Sequence, residues 1–198
     1  MDAIRHFFSE LSEDNFSQLR HFCELVCTKN EVLNLISRKD IDRIVEAHLL
    51  PSLAIFKKNP FPESSKILDI GTGGGFPGIP LAIAMPSAHF TVIDSIGKKI
   101  KAVSEFVSAL GLKNVTCISD RVENLRKKYH HITGRAVVKV DDFRILAEPH
   151  LLPGGKIFYL SGGTIVPRKN VEVIDLHTLY GRQFCETKKL LILRSHGA

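Results

Sequence analysis

At 198 residues, with 44% hydrophobic and 24% charged side chains, the chain has the composition of a globular protein that can bury a sizeable core. No run approaches the roughly 20 apolar residues of a membrane span, and the amphipathic start carries Asp2 and Glu10, unlike a secretory signal. Of 27 basic and 21 acidic side chains, residues 1–60 hold 8 and 9, leaving 19 and 12 beyond them, so the excess behind the net charge of +6 lies wholly in the second part, where it would draw a polyanion.

The cysteines Cys23, Cys27, Cys117 and Cys185 form no disulfide framework, which fits a reducing cytoplasm. Cys23 and Cys27 lie one helical turn apart near His21; a metal is conceivable there, but two core thiols are the better reading, and no metal is expected.

Residues 2 to 56 read as helical. Ser12 is a plausible N-cap, with Phe16, Leu19, Phe22, Cys23 and Val26 recurring at helical spacing behind it. Within the segment Ile41 to Phe56, Pro51 should kink or end the helix. Lys57 to Ser65, with Pro60 and Pro62, reads as a linker. The chain therefore divides into an N-terminal helical extension, 1–60, and a second domain, 61–198.

From Lys66 short apolar runs alternate with amphipathic segments. Strands are expected at Lys66–Ile70, Phe90–Asp94, Val115–Ser119, Arg135–Val138 and Lys156–Leu160. Helices are expected between them at Gly78–Met85, Lys98–Leu110, Arg121–Tyr129 and Asp142–Leu151. This alternation predicts an α/β fold, a mostly parallel sheet covered by helices on both faces. Two late runs, Val171–Leu176 and Leu190–Arg194, would close it as an antiparallel hairpin and bring the sheet to seven strands.

The segment from Ile67 to Leu81, ILDIGTGGGFPGIPL, follows the first strand and opens a helix. Gly71, Gly73 and Gly75 permit backbone angles that other residues avoid and let a ligand approach the main chain. Two cofactor classes use such a loop. Counted from Gly71, the dinucleotide fingerprint fails at Phe76; counted from Gly73 it is met through Gly75 and Gly78, so spacing alone does not decide. Two features favour S-adenosylmethionine: Asp69 at the strand end, able to face a cationic amino acid moiety or to order the loop, and Pro77 and Pro80, which remove N–H groups a pyrophosphate would want. Asp94, ending the second strand, can accept both hydroxyls of a ribose or cap the next turn. After the third strand, Asp120 is a possible N-cap in a loop placed to flank an adenine.

These residues carry a specific resemblance. The glycine segment, Phe90–Lys99 (FTVIDSIGKK), Arg121-Val122-Glu123 and Asn34–Ser37 (NLIS) ahead of His48 resemble the bacterial glucose-inhibited division protein B family, over about Asn34 to Gly163. The resemblance implies a Rossmann-like class I methyltransferase that transfers a methyl group from S-adenosylmethionine to N7 of a guanine in small-subunit (16S) ribosomal RNA. It implies that Gly71 and Phe76 touch the cofactor in the glycine loop, where Gly73 is a further candidate from the loop itself, that Asp94 to Ile96 lie at its ribose, and Val122 with Glu123 at its adenine. Arg135 would lie near the methyl donor and target base. The chain departs from the family at Gly134, where serine is usual, at Pro51 in place of aspartate, and at Ser161 in place of lysine.

Guanine N7 carries an in-plane lone pair and no proton, so its methylation needs orientation and no general base; no residue is expected to be catalytic in the acid–base sense. Arg38, Lys39, Lys98, Lys99, Arg144 and the pair Arg168 and Lys169 are candidate phosphate contacts, and His130 and His131 read as solvated loop histidines. Three other readings stay open from the residues: a methyltransferase acting on another RNA or a small molecule, an NAD-type oxidoreductase, and a non-enzymatic RNA-binding factor.

Overall fold

The structure is a computed structural model in which residues 1–58, 61–163, 170–181 and 187–194 are described. The N-terminal part opens with α1 (Asp2–Phe7) and α2 (Glu13–Asn30). Ser12 caps α2 as expected: its Oγ accepts from the Asn15 N–H while the Asn15 side chain takes the Ser12 N–H, both at 3.1 Å. The buried stripe of α2 is the one read from the spacing, Phe16, Leu19, Phe22, Cys23 and Val26.

Beyond Asn30 the chain is not continuously helical. An irregular stretch leads to a 3-10 turn, Arg38–Arg43, then a π-turn, Val45–Leu49, and α3 (Leu50–Lys58). The helix therefore runs through Pro51 instead of ending there. Pro51 has no N–H for the carbonyl four residues back, at Ala47, and the π-turn lies where that bond is missing. The Lys188 ammonium takes the Ala47 carbonyl at 2.9 Å, and the Ser52 hydroxyl takes that of His48 at 2.7 Å.

The α/β part runs β1 (Lys66–Ile70), α4 (Gly78–Ala84), β2 (His89–Asp94), α5 (Gly97–Ala109), β3 (Val115–Ser119), β4 (Tyr129–Arg135), α6 (Val140–Ala147), β5 (Leu151–Gly162), β6 (Val171–Asp175), α7 (Leu176–Tyr180) and β7 (Lys188–Arg194). They build one seven-stranded sheet in the order β3-β2-β1-β4-β5-β7-β6, parallel except for β7, which runs against both its neighbours. The late runs do pair antiparallel, with the short α7 between them. Strand order reverses between β1 and β4, which splays their C-terminal connections apart and opens a crevice there.

One hydrophobic cluster joins Ile4, Phe8, Leu19 and Phe22 to α3, α4, α5 and one sheet face; a second lies on the other face around Phe143, Ala147, Ile132 and Tyr159. The Asn15 amide donates to the Ile83 carbonyl at 2.8 Å, and Lys29 pairs with Glu105 at 2.7 Å, tying α2 to α4 and α5. Cys23 belongs to the first cluster, and burial pushes its thiol up to about 12.

Two expectations are corrected around β4. No helix spans 121–129: the Asp120 carboxylate accepts from the Arg121 N–H and the Asn124 amide, closing a single 3-10 turn, Val122–Asn124, after which Leu125 is extended. The strand is Tyr129–Arg135, not Arg135–Val138, because Tyr129, Ile132, Thr133 and Gly134 turn into the interior. The apolar run that suggested a strand leaves the sheet at Ala136 (φ 49°), and the Tyr159 hydroxyl holds the new direction, accepting from the Val137 N–H at 3.0 Å and donating to the Val138 carbonyl at 2.6 Å. His130 and His131 are thus strand residues. His130 Nδ1 accepts from the Lys66 N–H at 2.9 Å, and His131 stacks on Phe61 with centroids 4.8 Å apart; burial, then Lys156 and His130, bring it down to about 4.

The departure at Gly134 has a local cause. A Cβ there would run into the ring of Phe143, which stacks on Tyr159 at 4.3 Å between centroids. Gly134→Ser should therefore destabilise by about 1–3 kcal/mol through overpacking, and Phe143→Leu in the same chain should recover part of that loss. Urea unfolding of both variants measures this; a serine variant as stable as the parent would remove the steric account.

Candidate active site

Asp69, near the end of β1, is fully buried and does not line the crevice. One carboxylate oxygen accepts from the Thr133 hydroxyl of β4 at 3.0 Å and the other from the Gly78 N–H, the first residue of α4, at 3.1 Å. Of its two expected roles it thus takes the second, ordering the loop. The fit is close: a Cβ on Gly78 would lie 2.8 Å from Asp69 Oδ2 and 2.8 Å from Val92.

Most N–H groups of the loop between β1 and α4 are taken up within the protein, that of Gly74 excepted. Gly71 and Thr72 donate to the Ile93 carbonyl, Gly75 and Phe76 to that of Thr72, Ile79 to that of Gly75, and Gly73 to Asp94 Oδ2 at 3.0 Å. With Gly78 bound to Asp69, the start of α4 presents no row of free donors of the kind that holds a pyrophosphate. What the loop supplies is shape. Gly71 has φ 68°, and a Cβ there would come within 2.8 Å of Val137 across the crevice.

A cleft of about 540 Å³ lies over the C-terminal ends of β1, β2 and β4. All seven residues singled out for a cofactor, Gly71, Gly73, Phe76, Asp94, Val122, Glu123 and Arg135, line it. Asp94 holds the Gly73 N–H and, at 2.9 Å, the Ile96 N–H, one on each oxygen, which leaves a lone pair of each for a ligand. The 3-10 turn brings Val122 and Glu123 to the rim beside Asp120 and Lys99. Sequence reasoning missed Leu35, Val137, Val138 and Leu146, which also line this cleft. Leu35 arrives from the N-terminal part: Asn30 Oδ1 accepts the N–H groups of Leu35 and Ile36 at 2.8 and 2.9 Å, folding that stretch against the glycine loop.

Arg135, at the end of β4, sits where this cleft meets a second one of about 590 Å³. Its guanidinium lies over the Phe76 ring at 5.3 Å and, among the described residues, makes no hydrogen bond. Burial, opposed by Asp69 and Asp40, pulls it down to about 10, so it stays charged at neutral pH. The ring of His48 packs on Phe76 at 5.2 Å. Among the other predicted contacts, Arg144 is committed to Glu148 at 2.7 Å and to the Arg194 carbonyl, so it is not a free phosphate ligand. Arg38, Lys39 and Lys98 lie on the surface, and Arg168, Lys169 and Cys185 fall outside the described residues. No group of three or more possible metal ligands exists among the described residues, and no described helix is long and apolar enough to cross a membrane.

Residues 15–178 match the GidB family, described as rRNA small subunit methyltransferase G. The chain belongs to that family. Ribosomal RNA small subunit methyltransferase G of Christiangramia forsetii is 39% identical over 98% of this chain and 96% of its own length, and that of Flavobacterium johnsoniae 40% identical over 98% and 97%. Among solved structures, a SAM-dependent O-methyltransferase from Thermotoga maritima aligns over 74% of this chain and 65% of its own with a TM-score of 0.60 at 17% identity. A SAM-dependent methyltransferase from Aquifex aeolicus aligns over 76% and 92% with a TM-score of 0.58 at 15% identity. At such identities the likeness is one of fold, and it is the class I methyltransferase fold expected from the sequence. Membership of the methyltransferase G family also removes the oxidoreductase and the non-enzymatic binder as readings of the glycine loop.

Burial raises Asp69 from 3.8 to about 6, against the pull of its hydrogen bonds. The folded protein holds this proton more tightly than the unfolded chain does. The contribution to stability is therefore greatest below 3.8 and is lost as pH rises through about 6. Relative to Asp69→Asn, the parent should lose about 2 kcal/mol between pH 4 and 7. Denaturant unfolding of the pair across that range tests it, and a constant difference would refute the buried-proton account.

Proposed function

We propose that the protein is an S-adenosylmethionine-dependent methyltransferase whose acceptor is N7 of a guanine in small-subunit ribosomal RNA. The observation that carries this reading is the gathering of all seven family-matched residues around one cleft in a chain of the methyltransferase G family. The cleft suits the donor. Its volume falls in the range of small-ligand pockets, Asp94 keeps acceptor capacity for a ribose, and Gly71 brings main chain to the ligand where a side chain would not fit. Val122 and Glu123 would flank the adenine. The sulfonium of the bound donor supplies an activated methyl group.

The chain's own residues then have a limited task. Guanine N7 offers a lone pair without a proton to remove, so no side chain needs to act as a base. Phe76, fixed between Phe22, His48 and the Arg135 guanidinium, gives the cleft a rigid floor. Arg135 offers donors to the acceptor nucleotide or to the donor's carboxylate, from a site screened from water where such bonds are strong. Holding the two reactants in line can supply roughly 7–11 kcal/mol of the barrier. With ribosomal RNA as acceptor the protein works in the cytoplasm, and the basic excess of 61–198 assists capture of the RNA.

Mapping of methylated guanines by mass spectrometry, in small-subunit RNA from cells with and without the protein, tests the acceptor. One guanine should lose its methyl group when the protein is absent, and an unchanged map overturns the assignment. For the donor, Asp94→Ala should weaken S-adenosylhomocysteine binding roughly 10- to 100-fold in calorimetry, while NADH should bind neither form. Arg135→Lys should lower kcat/KM for methyl transfer by roughly the same factor; unchanged turnover and RNA affinity would remove Arg135 from the site.

A further inference from the structure

The second cleft contains a carboxylate that nothing in the donor site requires. It shares Leu35, Arg135 and Ala136 with the first cleft and continues past Ser37, Asp40, His48, Ser161 and Lys188. Asp40 lies in the 3-10 turn Arg38–Arg43, with its side chain 35% exposed to the cleft. Its Oδ2 lies 3.2 Å from His48 Nε2, and because an ionised carboxylate can only accept, the proton of this histidine is assigned to Nε2, while Nδ1 is buried without a partner. Burial, with Arg135 nearby, brings His48 down to about 3, so the ring is neutral and does not cancel the charge on Asp40. Oδ1 of Asp40 has no hydrogen bond among the described residues. The pocket thus carries an oriented carboxylate facing into it and, where it opens on the donor cleft, a guanidinium with unused donors.

This polarity matches one nucleobase. Guanine presents two adjacent donors, N1–H and N2–H, on its Watson–Crick edge, with the acceptor O6 next to N1 and N7 beside O6 on the Hoogsteen edge. A carboxylate takes the first pair; an arginine at the mouth meets O6 and leaves N7 beside it, turned toward the donor cleft. Adenine would place its N1 lone pair against the carboxylate, and an unpaired buried acceptor is penalised heavily. We infer that the second cleft receives the acceptor base and that Asp40 is the specificity-determining residue, reading the N1–H and N2–H of guanine while Arg135 meets O6. This rests on the guanine-N7 reading above and adds to it a residue outside the donor site. His48 acts as a positioning residue, holding the Asp40 carboxylate at the angle its second oxygen needs.

The test uses small-subunit RNA joined from two pieces around a synthetic segment that carries either guanosine or inosine at the methylated position. Inosine keeps N7, O6 and N1–H and lacks only the N2 amino group. The parent protein should methylate guanosine over inosine with a kcat/KM ratio of roughly 10 to 100. In Asp40→Asn, where the amide keeps the bond to His48 but turns donors toward the base, the ratio should fall to within about threefold of one. S-adenosylhomocysteine affinity should be equal in the two proteins, since Asp40 does not line the donor cleft. A parent ratio near one, which needs no variant to measure, overturns the inference, as does an unchanged ratio in a variant with normal S-adenosylhomocysteine affinity. A parent protein that binds S-adenosylhomocysteine yet methylates neither RNA instead overturns the guanine-N7 reading and takes this inference with it.

Discussion

The site depends on where one buried carboxylate finds its hydrogen bonds. Asp69 is withdrawn from solvent at the end of β1, a position in which a charge is tolerated only if it is fully bonded. Its two oxygens reach sideways to Thr133 on β4 and forward to the first residue of α4. Those contacts bridge the point where the strand order reverses and fix how the glycine loop leaves the sheet. The N–H groups of Gly71, Thr72 and Gly73 then go to the Ile93 carbonyl and to Asp94, so β2 is held to the same frame. A crevice bounded by β1, β2 and β4 follows from these bonds, and the ligand meets a surface already paid for in hydrogen bonds.

That bonding pattern separates two cofactor classes that spacing left unresolved. A dinucleotide fold keeps its helix N-terminus open to a pyrophosphate. Here the first helical N–H belongs to Asp69 and the next to the Gly75 carbonyl, while Pro77 has none to give. The glycines of this loop serve close approach, as the contact between a hypothetical Gly71 side chain and Val137 shows, and anion binding is not their purpose. A donor with a cationic centre and a free ribose suits such a loop better than a diphosphate does.

Much of this was legible in the chain. β1 and β2 are near-continuous apolar runs, the pattern of a parallel sheet covered on both faces, and the apolar run of β3 forms the sheet edge, where none of its residues is fully buried. The failures share a cause. β4 hides two histidines in its sequence, one bonded to the Lys66 backbone and one stacked on Phe61, so its polarity disguises a buried strand. The run after it is apolar for another reason, that it walls the cleft, and its path is set by the hydroxyl of Tyr159 on a different strand. Pro51 misled in the same way: its missing N–H is compensated by Lys188, far along the chain, and no local rule foresees that. Leu35 and Asp40 were passed over because their role depends on how Asn30 folds the N-terminal stretch back over the glycine loop.

The N-terminal part is therefore not an appendage to the catalytic fold in any energetic sense. Its helices share a hydrophobic cluster with α4 and α5, and its irregular middle lines the second cleft and, through Leu35, reaches the first. A reaction that needs no proton transfer places its whole demand on orientation, and orientation needs both reactants gripped by one rigid body. The packing of His48 and Arg135 on Phe76 answers that demand. One aromatic ring, anchored in the glycine loop, carries on its surface a residue from the N-terminal segment and a residue from β4. Any shift of the extension relative to the sheet would disturb both clefts at once, so the geometry of transfer is tied to the core of the protein.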